Sequence, residues 1–76
     1  MESMDLIRSV IKTKLELENA SENFEMAEEE LIDYYSYQIK ANKAKLSYLI
    51  KEAKNQGFEM DMINQLKIKL EEKEVI

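Results

Sequence analysis

The chain of 76 residues contains no cysteine, proline, tryptophan or histidine, and its one glycine is Gly57. The missing cysteines exclude a disulfide and a thiol nucleophile, and with histidine also absent a structural zinc site loses its usual ligands. Ser-His-Asp and Cys-His catalysis are excluded on the same ground. With no proline and a single glycine, strong breakers are scarce, so the helices should be few and long. No apolar run approaches the roughly 18 residues a membrane span needs, and residues 1–25 lack the basic stretch and unbroken apolar stretch of a secretory leader. The expectation is a cytoplasmic protein that is not an enzyme, holds no cofactor or metal, and is not embedded in a membrane.

What the chain does have is charge, unevenly placed. Residues 1–33 carry ten acids against Arg8, Lys12 and Lys14, a net of −7. Residues 34–56 reverse this, with Lys40, Lys43, Lys45, Lys51 and Lys54 facing only Glu52, a net of +4. The whole chain carries −5, which argues against nucleic acid as a partner, because such binding depends on neutralising phosphates. So short a chain also buries only about 60–65% of its unfolded surface, so regular helix packing or self-association must supply stability.

Apolar periodicity divides the chain. Leu6, Val10, Thr13, Leu17, Ala20, Phe24 and Ala27 follow a four-three alternation with Ile7 and Ile11 in a second row, predicting a helix over about residues 4–25. The alternation resumes through Ile32, Tyr35, Ile39, Asn42, Leu46, Leu49 and Ala53, predicting a helix over about 29–56 that Gly57 closes. Asp61 is placed to cap a third, over about 62–73, burying Met62, Ile63, Leu66 and Leu70, although the LKIKL alternation also suits a strand. The EMAEE segment between the first two does not forbid one continuous helix; the acidic first helix and basic second favour folding back. The predicted fold is all-α, a long antiparallel hairpin with a shorter C-terminal helix in a single domain.

Two helices sharing one seam leave Ile7, Ile11, Leu15 and Leu31, with Tyr34, partly exposed, and a patch of that kind marks an interface. A homodimer of two hairpins, forming an antiparallel four-helix bundle, is the favoured cover; a third helix folding back is the alternative. Asn42, on the seam between Ile39 and Leu46, is either a buried polar residue that fixes register or a rim residue reaching water.

Candidate sites are few. Glu18 with Glu22, and Glu29 with Asp33, are spaced to share a helix face and a cation, but acids in such runs are usually a solvated face. The amphipathic LIRSVIKTKLEL stretch has the look of a membrane-surface helix, yet the acids beyond it repel anionic lipid and a bundle face explains the same pattern. Tyr35 falls on the seam. Tyr34, Tyr37, Ala41 and Tyr48 lie along a neighbouring row and form the candidate protein-interaction surface, since tyrosine offers a large contact area at low entropic cost. Packing of that row under the first or third helix is the competing reading and carries slightly more weight.

The segment LIDYYSYQIKANKAKLSYLIKEAKNQG also carries a resemblance. Leu31 to Tyr34, Tyr37, Ala41, Ala44, the run from Tyr48 to Lys54, and Gly57 resemble the YaaL-like family of short bacterial proteins of unknown function. With Ala20 and Phe24 of the first helix the likeness spans about residues 5–58, although Glu29-Glu30 stands where the family often has Asp-Pro. The resemblance implies a cytoplasmic bacterial protein and supplies neither catalytic residues nor a partner. Together these readings point to a helical module that binds a protein partner. The alternative is an acidic regulator or inhibitor that occupies a basic groove on an enzyme or nucleic-acid-binding protein.

Overall fold

In the computed structural model, the described residues are 3–59 together with Asp61, Met62, Asn64 and Gln65. They form two long helices, α1 (Ser3–Met26) and α2 (Ile32–Asn55), joined by a short connection that contains one 3-10 turn, Glu29–Leu31. Leu6, Ile7, Val10 and Ile11 from the start of α1 share one core with Leu49 and Ala53 from the end of α2, so the helices run antiparallel.

The connection forms without glycine or proline, and electrostatics explains why a break belongs there. A continuous helix would set Glu25, Glu28 and Glu29 against one another at three- and four-residue spacing, where like charges destabilise. It would also forgo the gain from placing Glu29, Glu30 and Asp33 in the first turns of the new helical segment, next to its positive dipole end. Glu28 is extended, with φ −69° and ψ 154°, and its carbonyl accepts the Leu31 N–H at 2.8 Å. The α-helix therefore starts at Ile32 rather than near Glu29, because residues 29–31 wind with the tighter i to i+3 pattern.

The far end of α2 is closed by Gly57. With Gln56 as the cap, the Gly57 N–H donates to Lys54 O at 3.0 Å and the Phe58 N–H donates to Ala53 O at 3.0 Å. This is the Schellman pair of bonds, and it requires the left-handed backbone that glycine adopts, here φ +92°. Its geometric consequence is that Phe58, the next residue, turns inward and packs on the core.

That inward turn changes the fate of the second apolar row. Ile7 is fully buried and Ile11 is 5% exposed, where the sequence predicts a partly open face awaiting a second copy. Both belong to this chain's own core, and Leu15 packs half-buried against it. Phe58 accounts for part of the cover, and beyond it the chain returns to α1, where Lys14 Nζ donates to Asn64 Oδ1 at 3.1 Å. Asp61, Met62, Asn64 and Gln65 have helical backbone, but most of the third helix predicted over 62–73 lies outside the described residues, as do Ile63, Leu66, Leu70 and the LKIKL segment. Met62 is 44% exposed, so it is not the core residue the spacing predicts.

Burial is consequently graded along the hairpin. The end with Phe58 holds the core, whereas at the connection Phe24, Leu31 and Ile32 remain exposed despite their seam or near-seam positions. Two helices alone cannot enclose a wide apolar stripe, and the added cover that Phe58 provides lies at the other end.

Candidate functional site: the outer face of α2

With the seam of α2 facing α1, the residues three, four and seven apart on its opposite side are open. Tyr34 is 53%, Tyr37 70% and Tyr48 63% exposed, and Ala41 between them is exposed too. All four predicted surface residues therefore occur together on one strip of one helix. The competing reading, packing under the first or third helix, does not hold for these rings at the exposure they show, although most of the predicted third helix lies outside the described residues. Tyr35, one residue on, turns toward the seam and is half-buried.

The strip is locally ordered at its N-terminal end. The Tyr34 and Tyr35 rings meet edge to face, with centroids 5.1 Å apart and planes at 72°. Gln38 Nε2 donates to the Tyr34 hydroxyl at 2.7 Å across one helical turn. These two contacts give Tyr34 neighbours on its own helix while its ring stays exposed.

Sequence reasoning missed two members of the strip. Ala44 and Lys51 are exposed and continue the alternation, so the complete series is Tyr34, Tyr37, Ala41, Ala44, Tyr48 and Lys51, with steps of three, four, three, four and three. The signal was available in that spacing, but Ala44 is small and Lys51 charged, and neither stands out in a search for apolar stripes. Such a series is the a and d pattern of a helix that packs against another helix.

The other predicted residues are dispersed. Ile7, Ile11 and Leu15 lie in or against the core, and Leu31 is 46% exposed at the connection, so those four do not form one face. Asn42 is half-buried and lines a groove with Asn19, Asn23, Gln38 and Ala41. Near the connection, Phe24, Met26 and Leu31 are exposed in a stretch that also carries exposed Glu25, Glu28, Glu29 and Glu30.

Among the described residues, none of these arrangements sets a nucleophile beside a base. Glu18, Glu22, Glu29 and Asp33 are all exposed, and among the described residues no group of three acids could hold a metal ion. No described helix is long and apolar enough to cross a membrane. The described residues thus form an all-helical unit, a two-helix hairpin with a closed core at one end and an open aromatic strip along α2. The family described as a protein of unknown function, DUF2508, matches residues 2–60. The chain belongs to that family, the short bacterial proteins that include YaaL. No curated protein and no solved structure matches it.

Proposed function

We propose that the protein is a non-enzymatic, cytoplasmic interaction module that binds another protein chain through the outer face of α2. The observation that carries this reading is the exposure of Tyr34, Tyr37 and Tyr48 along one face of a helix whose other face, through Leu49 and Ala53, enters the core. Tyrosine is enriched at the centres of interfaces, and three rings at heptad spacing on one rigid helix suit bundle completion or a helix laid in a groove. The test is Tyr34→Ala combined with Tyr37→Ala. This variant should keep the circular-dichroism spectrum and melting temperature of the parent and lose capture of its partner from the native cell. A variant that unfolds would place the rings in the core and refute the reading.

A second reading rests on a different observation, the exposed acids in the stretch that carries Phe24, Met26 and Leu31. That end of the hairpin suits a basic groove on an enzyme or nucleic-acid-binding protein, in line with the net −7 of residues 1–33. Partner binding that weakens strongly between low and moderate salt favours the acidic end, and salt-insensitive binding favours the α2 face.

A further inference from the structure

We propose that the partner that fits the outer face of α2 is a second copy of this chain, packed antiparallel about a two-fold axis between Ala41 and Ala44. This rests on the reading of that face as an interaction surface and adds the identity of what it binds. The argument begins with the register. In an antiparallel helix pair each a residue meets a d residue of the other helix, and a two-fold axis makes the contacts reciprocal. With the axis midway between Ala41 and Ala44, Ala41 meets Ala44 of the second copy, Tyr37 meets its Tyr48, and Tyr34 meets its Lys51. Every member of the exposed strip then has a partner, and each pairing is chemically sensible.

The alanines at the axis let the backbones approach closely. Outside them lie two aromatic pairs, each Tyr37 with a Tyr48, which gain from ring contact beyond their buried area. Outermost, each Tyr34 edge is set beside a Lys51 side chain, whose stem covers the ring while its ammonium stays at the rim. Both residues are exposed in the single chain, so neither has to leave the core to pair.

The flanking charges select the same arrangement. Antiparallel pairing brings together the two g positions and the two e positions that border the strip. In this register Asp33 faces Lys54 of the second copy, twice by symmetry, while Lys40 faces Ser47 and Lys45 faces Gln38. No like charges are opposed at these positions. Parallel pairing would instead set Lys51 against Lys51 in the contact layer and Lys40 against Lys45 beside it, both repulsive. The acidic start and basic end of α2 thus match when the second helix is reversed and clash or miss when it is not.

The experiment is sedimentation equilibrium of the full chain from about 10 to 500 μM, with three variants. The parent should reach a dimer within that range. Ala41→Glu is exposed in the single chain and helix-favouring, so it should keep the circular-dichroism melt of the dissociated chain. It should weaken association roughly a hundredfold or more by forcing unpaired carboxylates into the axis layer. Asp33→Lys and Lys54→Glu each create two like-charge pairs and should each associate less than the parent. An equimolar mixture of these two variants should regain association, because the hybrid dimer has both pairs opposite in charge. A parent that stays monomeric at 500 μM overturns the proposal, and so does a dimer that Ala41→Glu leaves intact. Failure of the mixture to regain association overturns the antiparallel register. A monomeric parent that still loses partner capture on Tyr34→Ala with Tyr37→Ala overturns self-pairing while the α2 face retains its role toward another protein.

Discussion

Thr13 is fully buried on the core-facing side of α1, and its Oγ1 has no hydrogen-bond partner among the described residues. A hydroxyl taken out of water without a replacement bond costs about 1–3 kcal/mol on the scale set by protein mutations. Thr13→Val keeps the shape and the β-branch and removes only that cost. Helix propensities of the two residues are close, so the local backbone term nearly cancels. A stabilisation of about 1 kcal/mol should result, which for a domain of this size raises the melting temperature by about 4–8 °C. The assay is thermal and urea unfolding monitored at 222 nm with all chains at one fixed concentration, so that association does not enter the comparison. Thr13→Ser serves as the control: it keeps the hydroxyl and loses the methyl group, and should destabilise by about 1 kcal/mol. A Thr13→Val protein that is less stable than the parent would show that the hydroxyl is bonded in the native state and would refute the reasoning.

Three further outcomes check the fold, all read by urea unfolding. Ile7→Ala should cost about 2–5 kcal/mol even at concentrations where the chain is a monomer, because the side chain is fully buried within one chain; a loss seen only when the chain associates would return Ile7 to an interface. Gly57→Ala should cost about 1–2 kcal/mol purely through the backbone, since φ is +92° and no described atom lies within 4 Å of the added Cβ; an unchanged midpoint would remove the left-handed cap. Phe58→Ala should cost about 2 kcal/mol, less than a fully buried phenylalanine, and a neutral result would mean that the segment after Gly57 does not cover the core.

The helical architecture was legible because α1 and α2 carry sustained four-three alternations that no strand could use. Gly57 was legible as a stop for a stereochemical reason, its freedom at positive φ. The inward turn of Phe58 just beyond that stop was harder to see. A glycine at C′ commonly precedes an apolar residue that folds back, which singles out Phe58, but local spacing does not encode what that residue packs on. Ile7 and Ile11 read as an exposed face for the same reason: their periodicity shows that they lie beside the seam, not what covers them. The 3-10 turn at Glu29–Leu31 had no glycine or proline to announce it and arises from the distribution of like charge. On α2 spacing alone picks out the aromatic members of the strip, whereas Ala44, small, and Lys51, charged, carry no apolar signal and join it through their exposure on the same side.

The central claim, that the outer face of α2 is where this protein meets another chain, has a direct test in hydroxyl-radical footprinting read by mass spectrometry over a dilution series. Tyr34, Tyr37 and Tyr48 should become protected together as concentration rises through the association range, while exposed residues away from the strip, such as Met26, keep a constant rate. Equal oxidation of the three tyrosines at every concentration in a chain that sedimentation shows to be associating would contradict the account, because the contact would then lie on another face.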